Sequence, residues 1–259
     1  MYHDKHIKLL RQLFILLVAL LFACTHKEPV ILKDCEELKS QGIIDSFPYP
    51  VRPGSEEWKK FTSHLQMVDA VTVPEKILEN MCTHGLAYTC VYCPLFMNLM
   101  VCNHIPYCYE MLKEQINSFN ELAKREDAGT ELMDLYLGLF DTSMAVTNMF
   151  DAQFLIHTLE TFIAQKDLLG KLNKQQSEEL LADAYDRLIY KEHHNLSWTF
   201  ISSSYYLLAN ILYYNLRYPP FVDLVDRNDM LIFLNDQMYL DGQPVDSIPY
   251  FTQQYLGEK

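Results

Sequence analysis

Apolar residues recur every three or four positions along much of the chain. The two clearest sets are Tyr109, Leu112, Ile116, Phe119 and Ala123, and Met149, Ala152, Ile156, Leu159 and Ile163. Side chains at this spacing share one face of an α-helix, so each set predicts an amphipathic helix with one buried stripe. A third set, Leu181, Ala184 and Leu188, predicts a helix opened by Ser177 or by the polar run before it, with Glu178 and Glu179 in its first turn.

Residues 198–216, WTFISSSYYLLANILYYNL, are apolar around most of the helical circumference. A helix of this kind is expected to be covered on all sides by other helices. Tyrosine has an apolar ring and a polar tip, so the tyrosines of this region fit either core packing or an aromatic-lined binding surface. The candidates for that surface are Tyr205, Tyr206, Tyr213, Tyr214 and Tyr218.

Local signals place further boundaries. Thr72 and Glu75 have the spacing of a capping box that would open a helix at 73–82, and Asp127 is a candidate cap for a helix over 128–140. A strand signal appears at 238–245, where Asp241-Gly242 predicts a short C-terminal hairpin. The chain has only eight glycines, which argues against a sandwich and against Gly-rich phosphate loops. The sequence therefore predicts an all-α fold, either a helical bundle or an irregular α-solenoid.

The first residues have the pattern of an export signal. Lys5, Lys8 and Arg11 precede the apolar run LFILLVALLFA at 13–23, which is shorter than the roughly 20 residues of a transmembrane helix. Leu-Phe-Ala-Cys at 21–24 resembles a bacterial lipobox, so Cys24 is the predicted lipidation site and new N-terminus. An uncleaved anchor helix is the alternative, and both interpretations attach the chain to a membrane.

The domain organisation follows from this signal. We expect a signal peptide at 1–23, an acylated N-terminus and irregular tether at 24–56, and a single helical domain at 57–259. Removal of residues 1–23 takes away three basic residues and one acidic residue, which changes the net charge from −13 to −15. Nucleic acid is not an expected partner, because phosphate binding requires a basic patch.

Residues 81–108 contain five of the seven cysteines, together with His84 and His104. One Cys-x-x-Cys pair, Cys90 and Cys93, does not have the spacing of a structural zinc site, so no metal is predicted. Export favours disulfides, with the pairing left open. The candidate pair is Cys102 and Cys108, joined by a short link that is expected to be non-helical. Buried, reduced thiols are the alternative, and a break at Pro94 should separate two helices.

Motifs of known chemistry are scarce. His157 and Glu160 lie one helical turn apart, but the carboxylate-bridged di-iron pattern has Glu-x-x-His order on two helices. His193-His194 would point to different faces of a helix. The sequence contains no Walker loop, no dinucleotide fingerprint, no His-Glu-x-x-His and no nucleophile elbow. No cofactor is therefore predicted.

Two segments, VPEKILENMCTHGLAYTCVYCPLF at 73–96 and ELAKREDAGTELMDLY at 121–136, resemble a family of uncharacterised lipoproteins and secreted proteins from gut Bacteroidota. The matching residues are Pro74, Leu78, Met81, Thr83, Leu86, Thr89, Pro94, Leu95, Arg125, Asp127 and Ala128. This resemblance implies an all-α fold, a Bacteroidota source and an envelope location, and it implies no activity. Cys82 and Cys93 depart from the family pattern.

Taken together, the sequence predicts a lipid-anchored cell-envelope protein with a non-catalytic binding or interaction domain. The outer membrane or cell surface is favoured over the inner membrane, with a protein or a glycan as partner. The alternative hypothesis is an envelope hydrolase that acts on glycan or peptide, with a site assembled from residues distant in sequence.

The lipid anchor can be tested directly. In a bacterial host grown with labelled palmitate, we expect the full-length chain to incorporate the label and Cys24→Ala to abolish incorporation. Cys35→Ala serves as the control for loss of a cysteine and should retain the label. Label that survives Cys24→Ala would contradict lipidation at this residue.

Overall fold

A computed structural model describes residues 35–99, 104–143, 149–228, 230–236 and 244–258. The fold is all-α, as the sequence predicts, with fourteen α-helices and no strand in the described residues. In chain order the helices are α1 (Cys35–Ser40), α2 (His64–Val71), α3 (Glu75–Asn80), α4 (Thr83–Val91), α5 (Ile105–Gln115), α6 (Asn117–Lys124), α7 (Ala128–Ser143), α8 (Met149–Ile163), α9 (Lys166–Leu169), α10 (Lys174–His193), α11 (Trp198–Asn210), α12 (Pro219–Arg227), α13 (Leu231–Asp236) and α14 (Ile248–Gly257). Short 3-10 helices lie at Trp58–Lys60, Phe96–Leu99 and Val245–Ser247.

Helix α11 occupies the centre of the domain. Every residue from Ser202 to Asn210 is buried, and α8, α10, α13 and α14 pack around the helix. A π-helical segment, Ile211–Asn215, continues it. The all-round apolar pattern of 198–216 predicts this central position. Helices far apart in sequence, such as α5 and α13, also contact each other, which favours a closed bundle over an open solenoid.

The stripe of Tyr109 to Ala123 is divided between two helices. Ile116 has extended backbone angles between α5 and α6, although it is buried as predicted. The side chain of Asn117, the first residue of α6, accepts from Val73 N at 3.1 Å and donates to Val73 O at 2.7 Å. These bonds attach the break between α5 and α6 to the α2–α3 connection. Apolar periodicity does not predict a contact of this kind.

The predicted helix start at Thr72 is wrong. Thr72 ends α2 by donating its hydroxyl to Val68 O at 3.0 Å, and α3 begins after Pro74 with no side-chain cap. Of the two starts predicted for α10, the polar run before Ser177 is the observed one, with a capping box between Asn173 and Gln176. The first turn of α10 contains no acidic residue, contrary to prediction. Helix α7 does begin at Ala128, directly after Asp127.

The predicted C-terminal hairpin falls largely on residues 238–243, which lie outside the described residues. Val245, the last residue of the predicted second arm, begins a 3-10 turn that leads into α14. Its side chain is fully buried. The described part of this segment is therefore helical.

The compact unit begins at Asp34, not at residue 57. A disulfide joins Cys35 to Cys82, and the Asp45 carboxylate accepts from Cys82 N at 3.0 Å, at the start of α4. The buried Tyr49 donates its hydroxyl to Thr89 O at 3.1 Å. A β-carbon at Gly85 would collide with the Asp45 side chain, so glycine is required where this segment crosses α4. Residues 35–50, assigned to a tether from their lack of periodicity, thus pack through specific polar contacts.

The Cys35–Cys82 disulfide is expected to stabilise the domain because it closes a loop across 47 positions. In the chain-entropy account, a loop of this length contributes about 2–4 kcal/mol to the free energy of unfolding. Cys35→Ala/Cys82→Ala should lower that free energy by this amount in denaturant titrations without reductant. It should also expose residues 35–50 to proteolysis. A change below about 0.5 kcal/mol would show that the non-covalent contacts alone hold the segment.

Candidate functional site

A buried polar cluster lies where α7, α8, α10 and α11 meet. The Glu160 carboxylate is fully buried and accepts from Lys191 Nζ at 2.7 Å, from Ser204 at 2.9 Å and from Tyr136 at 3.0 Å. Ser203 also donates to Glu160. Lys191 completes its three donor positions with Ser204 Oγ at 2.9 Å and Phe200 O at 3.0 Å. Both charges of this ion pair are therefore compensated inside the core.

Burial controls the protonation of the groups around this ion pair. Desolvation lowers the pKa of Lys191, against the opposing attraction of Glu160. Burial, reinforced by Glu160, raises the pKa of Tyr136 well above its usual value. It also lowers the pKa of His157 to about 4, which leaves this imidazole neutral near pH 7. Nδ1 of His157 has no hydrogen-bond partner among the described residues.

Ser204 and Lys191 have the composition of a serine–lysine nucleophile pair. However, Ser204 donates to Glu160, is fully buried, and does not line the main cavity described below. The cluster is therefore best described as a core ion pair. Their spacing marks His157 and Glu160 in the sequence, but no motif marks Lys191, which follows Ala184 and Leu188 on the apolar face of α10. A lysine on a buried stripe facing a run of serines was the available signal.

A cavity of about 400 Å³, named the main cavity for its mixed polar and apolar walls, lies between α5, the α8–α9 connection, α11 and α13. A larger and mostly apolar cavity of about 490 Å³ lies elsewhere, next to Tyr92 and Phe154. The walls of the main cavity combine aliphatic and aromatic surface with charged and amide groups. They comprise His104, Pro106, Tyr109, Glu110, Lys113, Ala164, Gln165, Lys166, Asp167, Tyr206, Asn210, Leu234 and Asn235.

One wall of the main cavity is a connected set of charges. Asp167 Oδ2 accepts from the Tyr109 hydroxyl at 3.1 Å and from Lys113 Nζ at 3.0 Å. Lys113 also pairs with Glu110 at 2.6 Å and lies 4.5 Å from the centre of the Tyr109 ring. Burial and the adjacent Asp167 raise the pKa of Tyr109 well above its usual value, so the hydroxyl remains a donor at neutral pH.

Lys166 and Asn210 also line the main cavity. Lys166 Nζ donates to Asn235 Oδ1 at 3.0 Å and lies 4.6 Å from the Tyr214 ring centre. No ion pair joins Lys166 to a carboxylate of the described residues. Asn210 donates Nδ2 to Tyr206 O at 2.8 Å, while its buried Oδ1 has no partner among these residues.

A second cavity, of about 360 Å³, shares Glu110, Lys113 and Asp167 with the main one. Its remaining lining residues are Glu114, Asn120, Ala123 and Lys124. The two cavities therefore meet at the Lys113–Asp167 ion pair.

The five candidate tyrosines do not form one binding surface. Tyr205, Tyr206 and Tyr218 are buried, and only Tyr206 of the five lines the main cavity. The hydroxyls of Tyr205, Tyr206 and Tyr213 donate to Glu192, Asn235 O and Asp226, respectively. Those of Tyr214 and Tyr218 donate to Asn235 Oδ1 and Glu258. The rings point in different directions around the central helix and the segment that follows it. Core packing therefore accounts for most of them.

The cysteines differ in whether they are free or disulfide-bonded. Cys90 and Cys93 are free, buried thiols, and burial raises the pKa of both. Cys108 is disulfide-bonded, but Cys102 and Cys24 lie outside the described residues, so the Cys102–Cys108 pairing and the lipidation of Cys24 stay predictions.

The link between Cys102 and Cys108 is predicted to be non-helical, and this is wrong for Pro106. Pro106 lies in the first turn of α5, after the N-cap His104. Among the described residues, no group of three or more His, Cys, Asp or Glu side chains is arranged to hold a metal ion.

Comparison of the chain with known protein families, with curated proteins and with solved structures found no match. No helix in the described part of the chain is both long enough and apolar enough to cross a membrane. The geometry of the site is therefore the basis for assigning a function.

Removal of one partner of the buried ion pair should be strongly destabilising. Lys191→Met leaves Glu160 buried with an uncompensated charge, which typically costs about 3–5 kcal/mol. We expect a loss of that size in denaturant titrations, and a large part of it should be recovered in Glu160→Leu/Lys191→Met. Lys174→Met, at an exposed position of the same helix, is the matched control and should be nearly neutral. A loss below about 1 kcal/mol for Lys191→Met would contradict the role given to the pair.

Proposed function

We propose that this chain is a lipid-anchored protein of a bacterial cell envelope whose helical domain binds a small polar ligand in the main cavity without catalysing its conversion. The observation that carries the proposal is the cavity itself, where apolar surface surrounds a few polar groups with unused capacity. Its volume of about 400 Å³ lies within the range of ligand sites.

The residues of the main cavity are suited to binding. Tyr206 and Asn210 belong to the central helix, and Ala164 directly follows α8, so these walls are fixed by the core. Lys166 Nζ makes one hydrogen bond to a side chain of the described residues, which leaves donor positions for a ligand. A ligand that pairs with this ammonium replaces water there.

The same residues do not favour the alternative of a hydrolase. The Asp167 carboxylate accepts hydrogen bonds from Lys113 and Tyr109 through Oδ2, so this oxygen is already engaged in the free protein. Among the described lining residues there is no serine, threonine or cysteine to act as a nucleophile. Attachment through Cys24 is supported by the lipobox-like sequence, and it would place the cavity outside the cytoplasm.

The binding function can be tested with a variant that obstructs the cavity. Asn235→Trp places a large ring at the part-exposed rim of the cavity, and Asn228→Trp introduces the same ring at an exposed position outside it. Thermal-shift measurements on purified full-length protein would use a panel of sugars, amino acids, short peptides and organic acids. At least one compound class should raise the melting temperature of the wild type and of Asn228→Trp, but not of Asn235→Trp. The absence of any such compound would contradict a ligand-binding cavity.

A further inference from the structure

The main and second cavities adjoin at their shared lining residues, Glu110, Lys113 and Asp167, and are together called the groove. We propose that this groove binds an uncharged, hydroxyl-rich glycan of at least two sugar units. The proposal rests on the binding function above and names the class of ligand.

The charges along the groove are balanced. Its cationic side chains are Lys113, Lys124 and Lys166, and its carboxylates are Glu110, Glu114 and Asp167. This balance is local, because the chain as a whole has a formal net charge of −13. An anionic or cationic ligand would meet like charges at several points, whereas an uncharged ligand would meet none.

The free capacity of the groove includes both donors and acceptors. Lys166 uses one of its three donor positions, and the Asp167 bonds to Tyr109 and Lys113 both involve Oδ2. A hydroxyl group donates one hydrogen bond and accepts others, so a series of hydroxyls can satisfy such a mixed surface.

The apolar parts of the groove suit the faces of sugar rings. Pro106, Tyr109, Ala164 and Leu234 line the main cavity beside the polar groups. A pyranose ring has an apolar C–H face and hydroxyls at its edge, so it can contact these residues while its hydroxyls reach Lys166 and Asp167.

A peptide is a poorer match for the groove. An amphipathic helix requires a hydrophobic groove, and an extended peptide commonly adds to a sheet edge. Ala123 is the single apolar side chain among the described lining residues of the second cavity, and no strand is present in the described part of the chain. The second cavity therefore favours a ligand with a series of hydroxyl groups over a peptide.

The test uses full-length protein in detergent and isothermal titration with three kinds of probe. These are neutral trisaccharides with their monosaccharides (maltotriose, cellotriose, mannotriose and chitotriose), trigalacturonate, and trialanine. At least one neutral trisaccharide should bind, and about tenfold more tightly than its monosaccharide, because it occupies both cavities. Trigalacturonate and trialanine should bind at least tenfold more weakly.

Variants in each cavity locate the ligand. Asn120→Ala and Lys124→Ala should weaken the trisaccharide about five- to tenfold and leave the monosaccharide unchanged, since they alter only the second cavity. Lys166→Met should weaken both sugars about tenfold, which is the effect of losing one charged hydrogen bond. Lys174→Met, exposed and outside the groove, should change neither affinity.

Three outcomes would overturn the proposal. Equal affinity for monosaccharide and trisaccharide would show that the second cavity takes no part. Tighter binding of trigalacturonate or trialanine would show that the ligand class is wrong, while the binding function stands. A failure of every neutral sugar to bind would also overturn the glycan proposal. The thermal-shift comparison of the wild type with Asn235→Trp then shows whether the binding function is wrong as well.

Discussion

One buried ion pair constrains how the central helices pack. Glu160 and Lys191 lie in the core where α8 and α10 pack against α11. Glu160 accepts hydrogen bonds from Ser203, Ser204 and Tyr136, and Lys191 donates to Ser204 and to the Phe200 carbonyl. The cost of desolvating these charges is recovered only when all the partners are in register. The pair therefore specifies how three helices pack, whereas apolar contacts alone would tolerate small shifts along the helix axes.

A second set of specific contacts attaches the N-terminal segment. The Cys35–Cys82 disulfide, the Asp45 carboxylate at the start of α4, and Lys39, which lies 2.5 Å from Glu131, hold residues 35–50 on the domain. Glu131 also pairs with His84 at 3.0 Å, so this segment, α4 and α7 are joined through one carboxylate. If Cys24 is acylated, only the ten residues between Cys24 and Cys35 separate the lipid from the domain. A fully extended linker of this length spans at most about 40 Å, so the domain would stay close to the membrane.

The sequence predicted those features that arise from periodicity. The all-α class and the central position of 198–216 follow from which faces are apolar, and the buried Leu112, Phe119, Ile156 and Leu159 lie on predicted stripes. The errors arose where a side chain bonds across the fold. Asn117 divides a predicted helix because it pairs with Val73, and residues 35–50 pack because Asp45 and Tyr49 reach α4. Such contacts join residues far apart in sequence, and spacing rules do not contain them.

The candidate site could not be predicted from the sequence, for a related reason. Its lining residues come from four separate stretches of the chain, and none of them belongs to a recognised motif. Ala164 lies one turn beyond Glu160, and Tyr206 lies one turn beyond Ser203, so the ion pair also fixes two walls of the main cavity. The cavity thus begins where the satisfied polar core ends, and Lys166 at its wall has further donor positions. Walls held by a rigid core are pre-organised for a ligand, since binding requires little ordering of them.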